Sequence, residues 1–153
     1  MNYLLDTNIF IQLSKNKHSV FLNDLIEQED ARIYLSIVTL AEARSIAFRN
    51  AWGETKWNIL DAIIKRLTVV DINESLLNAY VHIDTYSQRR NPSFHDYNFA
   101  TPRNMGKNDL WIASTAAFLG LTLVTTDKDF DHLHKVFMEV KRISPDAFLN
   151  PKK

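Results

Sequence analysis

The sequence predicts an α/β fold: a three-layer α/β/α sandwich around a central, mostly parallel five-stranded sheet. Short apolar runs of strand length alternate along the chain with longer segments whose apolar residues recur at helical spacing. Strands separated by helices pair in parallel, and the helices then cover both faces of the sheet. The 153 residues contain no repeat. Their number is typical of one domain, which we expect to span 1–150, with a short tail over 151–153.

In the first third of the chain, strand-like runs are separated by helix signals. The apolar pair Leu4-Leu5 stops at Asp6, where a helix can begin, and Ser19 is a suitable N-cap for a second helix. Gly53 marks the end of a third helix. The predicted elements are a strand over 2–5, helices over 7–15 and 20–26, a strand over 32–35 and a helix over 38–50.

The middle of the chain contains two helices and an unusually long loop. Trp57, Leu60 and Ile64 lie on one face of the first of these helices, and Pro92 and Pro102 interrupt the loop. A loop of this length in a compact domain is usually functional or disordered. The predicted elements are a helix over 55–67, a strand over 68–70, a helix over 73–89 and a loop over 90–107.

The last third returns to alternating helices and strands. Asn108 is a good N-cap, and Gly120 occupies a position suited to a left-handed residue at a helix C-terminus. The predicted elements are a helix over 108–117, a strand over 121–125, a short helix over 127–134 and a last strand over 136–140.

The composition excludes several classes of protein. No stretch approaches the roughly 20 apolar residues that a membrane span needs, and the N-terminus lacks the basic and apolar segments of a signal peptide. The chain has no cysteine, which excludes disulfides and thiolate metal sites. Eighteen basic and eighteen acidic residues give a formal net charge of zero, so charge alone indicates no nucleic-acid partner. We expect a cytoplasmic protein that does not bind membranes.

Four acidic residues stand at the ends of predicted elements, where an open parallel sheet binds its ligands. Asp6 and Asp127 follow apolar strands, Asp109 lies in the first turn of a helix, and Glu42 lies one turn into another. Mg²⁺ and Mn²⁺ prefer carboxylate oxygens as ligands. Two such ions can activate a water and stabilise the leaving oxygen of a phosphodiester. The four acids therefore predict a hard-cation site.

Each of these acids also has a simpler interpretation. Asp6 and Asp127 are each placed to cap the helix that follows. Asp109 is a favourable anion for the first turn of a helix, and Glu42 alone would more often be a solvated helix residue. The metal-site interpretation depends on the coincidence of all four at one end of one sheet.

Four segments together resemble the PIN-domain nucleases, in particular the VapC-type toxins of toxin–antitoxin pairs. They are Leu4-Leu-Asp-Thr-Asn8, Leu40-Ala-Glu42, Asn108-Asp-Leu-Trp-Ile-Ala113 and Val124-Thr-Thr-Asp-Lys-Asp-Phe130. The resemblance covers almost the whole chain in the right order. It implies a PIN-like three-layer fold, Mg²⁺- or Mn²⁺-dependent endoribonuclease activity on RNA of the tRNA or rRNA class, a homodimer, and a cognate antitoxin protein as partner.

The same resemblance implies roles for individual residues. The acids that it makes catalytic and metal-binding are Asp6, Glu42, Asp109 and Asp127. The residues that match positions orienting these acids are Thr7, Asn8 and Thr125. Asp127 is the better match to the fourth position because it directly follows Val124-Thr-Thr, and the sequence leaves open whether Asp129 or Asp131 assists it.

Other polar and aromatic residues have two interpretations each. The basic residues Arg89, Arg90, Arg103 and Lys107 either hold phosphates or form a solvated surface. The loop aromatics Phe94, Tyr97 and Phe99 either stack on unpaired bases or anchor the loop to the domain. We expect His132 and His134 at the surface, and we expect core or dimer contacts for Trp52, Trp57 and Trp111.

Competing functions fit the chain less well. A receiver-type signalling domain needs paired acids after the first strand, and only Asp6 is present there. A haloacid-dehalogenase phosphatase needs an aspartate where this chain has Asn8. A nucleotide-binding module needs a glycine-rich phosphate loop, and the three glycines are scattered. The remaining alternatives are a stand-alone PIN-domain nuclease for RNA processing and a catalytically silent PIN domain that binds RNA or protein.

Overall fold

Within residues 1–15 and 30–148, which the computed structural model describes, five strands form one sheet. The predicted helix over 20–26 and the predicted tail over 151–153 lie outside these residues. The strands are β1 (Asn2–Leu5), β2 (Arg32–Ser36), β3 (Thr68–Val70), β4 (Thr122–Thr125) and β5 (Val140–Arg142). Their order is β3-β2-β1-β4-β5, and every pairing in it is parallel. The predicted α/β class is confirmed.

Strand β1 lies at the centre of the sheet, because the chain first adds β2 and β3 on one side and later β4 and β5 on the other. Leu5 of β1 pairs with both Leu35 of β2 and Val124 of β4. The strand order therefore reverses beside β1, and ligands of open α/β sheets bind beyond the strand C-termini at such a reversal. Asp6, the first residue after β1, lies at this crevice.

Helices cover both faces of the sheet. The described α-helices are α1 (Thr7–Lys15), α2 (Ile37–Arg49), α3 (Glu54–Ile64), α4 (Leu77–Ser87) and α5 (Lys107–Leu119). Short 3-10 turns cover Glu74–Leu76, Lys128–Leu133 and Pro145–Phe148. None of the described helices is long and apolar enough to cross a membrane.

Alternate residues of β1 enter two separate cores, as the period of a strand requires. Tyr3 and Leu5 pack with the buried sides of α1, α2 and α3. Leu4, between them, packs with α4 and α5 on the opposite face. Leu4 and Leu5 are both completely buried. The three-layer arrangement that the sequence predicted is therefore confirmed.

Several predicted boundaries are wrong. Helix α3 ends at Ile64 rather than 67, in a turn that leads into β3. Helix α5 is capped by Gly106 rather than Asn108, so Asn108 lies in its first turn. The predicted strand over 136–140 is mostly a turn, because the backbone reverses at Lys135, which has a φ of 62°. Pairing with β4 begins only at Val140.

The loop between α4 and α5 is anchored by aromatic side chains around the buried Tyr86. The ring centroids of Phe94, Tyr97 and Phe99 lie 4.7, 5.2 and 5.4 Å from that of Tyr86. Arg89 belongs to the same structure, since its Nη1 donates to the carbonyl of Ala100 at 3.0 Å and its guanidinium lies over Tyr97. The aromatic residues thus anchor the loop to the domain, which confirms the second of the two interpretations given for them.

His132 was expected at the surface, and this expectation is wrong. The ring is only 5% exposed, it stacks parallel to Tyr86, and its Nε2 lies 2.8 Å from the hydroxyl of Ser87. The 3-10 turn that follows Asp127 places the ring inward, whereas His134 stays partly exposed. Burial, and secondarily the charge of Arg103, lowers the pKa of His132 to about 4.

We expect His132 to make the fold sensitive to acid. A histidine in an unfolded chain has a pKa of about 6.5, so the unfolded state takes up a proton that the folded ring does not. The stability from this neutral ring is complete above about pH 6.5 and is lost as the pH falls towards 4. Between pH 4 and 7, the thermal unfolding midpoint of wild type should therefore rise relative to that of His132→Gln as the pH increases. The exposed His95 gives a matched control, because His95→Gln should keep the wild-type slope. Equal slopes for all three proteins would contradict this role.

Candidate active site

Asp6 is held rigidly at the end of the central strand. Its backbone N–H donates to the carbonyl of Val124 at 2.9 Å, which continues the β1–β4 ladder by one residue. One carboxylate oxygen accepts from the backbone N–H of Thr7 and the other from the hydroxyl of Thr125, both at 2.7 Å. A helix cap would accept from a residue two or three positions further along. The carboxylate of Asp6 is therefore oriented for the crevice and does not cap α1 in this way.

Glu42 is brought to Asp6 through Thr7. The hydroxyl of Thr7 donates to a carboxylate oxygen of Glu42 at 2.9 Å, and the buried hydroxyl of Thr39 lies 3.4 Å from that of Thr7. Thr39 precedes Glu42 by three positions in α2, so the two share one face of the helix. Sequence reasoning missed Thr39, although this spacing was a usable signal.

Thr125 connects Asp6 with Asp127. Its hydroxyl oxygen accepts from the backbone N–H of Asp127 at 2.9 Å while the hydroxyl donates to Asp6. Asp127 is the N-cap of the following 3-10 turn, because one of its carboxylate oxygens accepts from the N–H of Asp129 at 2.9 Å. The capping interpretation of Asp127 is thus confirmed. Its other carboxylate oxygen accepts no hydrogen bond from the described residues.

Asp109 completes the group from the first turn of α5. Burial, and secondarily the charges of Asp6, Asp127, Glu42 and Asp129, raises the pKa of Asp109 to about 7. Burial also raises the pKa of Asp6, against the opposing effect of its two hydrogen bonds. Four acids that are far apart in sequence are therefore close enough to interact electrostatically.

The structure places only some of the other predicted site residues next to the four acids. Thr7 and Thr125 contact the acids, as expected, whereas Asn8 is exposed and bonds to none of the four. Asp131 instead pairs with Arg142 at 3.3 Å, so of the two additional acids only Asp129 contributes to the field at Asp109. Within residues 1–15 and 30–148, none of the four acids has an ion-pair partner.

A cleft of about 480 Å³ opens beside the acids. Its lining residues are Glu42, Gly106, Lys107, Asn108 and Asp109. Of the four basic residues predicted to hold phosphates, Lys107 is the one that lines this cleft. The cleft therefore combines two of the acids with one positive charge at its edge.

The donor set fits a hydrated divalent cation. Among the described residues, no three acidic, histidine or cysteine side chains form a ready-made ligand shell. Mg²⁺ does not require one, since it usually keeps several waters and binds one or two protein carboxylates directly. Oxygen donors without thiolate or imidazole select for Mg²⁺ or Mn²⁺ rather than Zn²⁺.

Comparison with known proteins matches the chain to one protein family and to relatives of similar length. A family model described as PIN domain matches residues 3–136. The ribonuclease VapC1 of Haemophilus influenzae is 29% identical over 138 residues, which are 87% of this chain and 92% of the relative. The ribonuclease VapC2 of Rickettsia felis is 27% identical over 141 residues, with 91% and 97% covered.

Solved structures of toxin–antitoxin complexes share the fold of this chain. VapBC2 from Rickettsia felis, bound to a DNA fragment from its promoter, superposes with a TM-score of 0.73 at 26% identity. VapBC-1 from nontypeable Haemophilus influenzae gives a TM-score of 0.72, also at 26% identity. In both cases the match covers 93% of this chain and 98% of the other.

Proposed function

The chain belongs to the PIN domain family, and on that premise we propose that it is a metal-dependent endoribonuclease, the toxin of a toxin–antitoxin pair. The relatives named ribonuclease support the reaction, and the solved complexes support the biological setting. The observation that carries the proposal is the group of four acids, without neutralising partners among the described residues, at the C-terminal edge of the sheet.

We assign the binding of divalent cations to Asp6, Glu42, Asp109 and Asp127. Bound there, Mg²⁺ or Mn²⁺ supplies a hydrolytic water at neutral pH and stabilises charge on the leaving oxygen of a phosphodiester. Thr7 and Thr125 fix the orientation of three of the acids, because each hydroxyl contacts a carboxylate and Thr125 also holds the backbone of Asp127. Lys107 positions the substrate phosphate at the edge of the cleft.

The partner that we propose is a small antitoxin protein that silences the enzyme by placing a basic side chain against the four acids. A pocket that attracts divalent cations also attracts a guanidinium, which binds carboxylates through two parallel hydrogen bonds. Because the proposed substrate is tRNA or rRNA, we place the activity in the cytoplasm.

Expression in a bacterial cell tests the toxin assignment. We expect induction of this chain to arrest growth, and we expect co-expression of the neighbouring small open reading frame to restore it. An Asp6→Asn variant expressed to the same level serves as control and should not arrest growth. If a soluble protein that cleaves RNA in vitro causes no arrest, the assignment moves to a stand-alone RNA-processing nuclease.

We further propose that the chain forms a homodimer through α4 and α5. These two helices pack against each other, and the Tyr80 and Trp111 rings join them with centroids 4.4 Å apart. On the same two helices Leu77, Val81 and Phe118 are 51%, 56% and 54% exposed. An apolar surface of this kind on a small protein commonly marks a protein interface.

Val81→Glu is expected to convert the dimer to a monomer, because it places a charge among the exposed apolar residues of the proposed interface. Val81 is exposed, so the substitution should leave the fold of the monomer intact. Light scattering after size exclusion measures the mass, with the exposed Asn58→Glu on α3 as the matched control. A wild-type protein that is monomeric at all concentrations would refute the dimer.

A further inference from the structure

The exposed side of α2 carries a groove that leads away from the acids. Three clefts lie one after another along the helix and share lining residues. The acid cleft shares Glu42 and Asn108 with a second cleft of about 480 Å³. The second cleft shares Ser45 and Arg49 with a third cleft of about 410 Å³. The three clefts are therefore neighbours along the helix. From Glu42 to Arg49 the helix rises about 10 Å, at 1.5 Å per residue.

The far end of this groove is basic and aromatic. The third cleft is lined by Arg44, Phe48, Arg49 and Trp57, together with Ser45. Phe48 is 84% exposed, more than any other large apolar side chain among the described residues. Neither arginine forms an ion pair with a residue that the structure describes. The second half of α2, after Glu42, contains no acid.

We propose that this groove binds a single-stranded segment of the RNA next to the scissile phosphate, with an unpaired base stacked on Phe48 and backbone phosphates on Arg44 and Arg49. The inference deepens the proposed nuclease function and rests on it. Proteins that hold single strands combine a positively charged track with aromatic side chains on which bases stack. Both features are present here, and the track begins at the proposed metal-binding acids.

The surroundings of Phe48 favour a nucleic acid over a protein as the occupant. The centre of a protein interface contains several apolar residues and few charges. The exposed apolar residues of α4 and α5, on another side of the molecule, fit this description. Phe48 instead stands beside Arg44, Ser45 and Arg49, and its apolar neighbour Trp57 is partly buried. Two arginines that line the same cleft as a single exposed ring suit the negative charge of a phosphate backbone.

Binding of a labelled single-stranded oligoribonucleotide tests the stacking, measured by fluorescence anisotropy in an Asp6→Asn background so that the RNA is not cut. We expect Phe48→Ala and Phe48→Leu to weaken binding by about 5-fold to 100-fold, the usual range for loss of one stacked base. Phe48→Trp should retain the affinity. If Phe48→Leu binds as tightly as wild type, the ring does not stack, and the proposal is wrong.

The salt dependence tests the phosphate contacts. The logarithm of the affinity falls linearly with the logarithm of the salt concentration, and each lost contact to a single strand decreases the magnitude of this slope by about 0.7. We expect this decrease for Arg44→Gln and for Arg49→Gln, but not for Lys65→Gln, an exposed residue that lines none of the three clefts. An equal decrease for Lys65→Gln would show that the groove arginines have no special role.

Kinetics on the otherwise wild-type enzyme separate failure of this proposal from failure of the proposed function. The groove variants should raise KM for the RNA while kcat changes little. If wild type neither binds nor cleaves RNA, the nuclease function fails. If wild type cleaves RNA and the Phe48 and arginine variants match it, only the groove proposal fails. If these variants weaken binding of the antitoxin and leave KM for RNA unchanged, the groove is a protein-binding surface and the proposal is overturned.

Discussion

Asp6→Asn is expected to abolish RNA cleavage while the protein stays folded. Asp6 is the most deeply buried of the four acids, and both of its carboxylate oxygens are fixed by hydrogen bonds. An amide keeps the shape of the side chain but not the charge that holds a cation. Because loss of a residue that only supports a metal ligand already costs about 10–100-fold, we expect a decrease in kcat of at least about 100-fold.

The same substitution should not lower the stability of the metal-free protein. Burial and the neighbouring acids raise the pKa of Asp6, so its ionised form destabilises the fold at neutral pH, and removal of this charge relieves that effect. Thermal unfolding without divalent cations should give a midpoint equal to or above that of wild type. The exposed Asp61→Asn on α3 is the matched control and should leave both activity and midpoint unchanged. An unfolded or a fully active Asp6→Asn protein would refute the role assigned to Asp6.

Removal of divalent cations is expected to decrease RNA cleavage about as much as Asp6→Asn does. EDTA should abolish cleavage, and an excess of Mg²⁺ or Mn²⁺ should restore it. Cations bind deprotonated carboxylates, so binding must displace the proton that Asp109 holds below its pKa of about 7. The affinity for Mg²⁺ should therefore rise as the pH increases towards 7 and level off above it.

Unfolding midpoints measured with and without Mg²⁺ test the coupling between Mg²⁺ binding and the loss of the proton from Asp109. The raised pKa of Asp109 means that the contribution of this group to the stability of the metal-free protein decreases as the pH rises from about 4 to 7, opposite in sign to the contribution of His132. Mg²⁺ binds the folded state, so the stabilisation that it provides should increase over the same range. In Asp109→Asn both trends should be weaker. Cleavage that continues undiminished in EDTA would exclude the metal mechanism.

The sequence by itself determined the layers of the fold and the end of the sheet at which the acids meet. Apolar runs that alternate with amphipathic helices specify a parallel sheet, and the C-terminal ends of parallel strands share one edge. Asp6 and Asp127 follow two such strands, so their proximity followed from position alone. The family resemblance supplied the roles of the acids, which still require the experiments above.

Only the tertiary structure decided how the acids are held and which neighbouring residues take part. Asp6 and Thr125 are 119 residues apart, and no local pattern encodes the bond between them. The burial of His132 likewise depends on Tyr86 and Ser87, which belong to another helix. Strand β5 begins at Val140 because pairing with β4 selects its register. Periodicity reports which face of an element is apolar, whereas partners across the fold are chosen by packing and hydrogen bonding between distant segments.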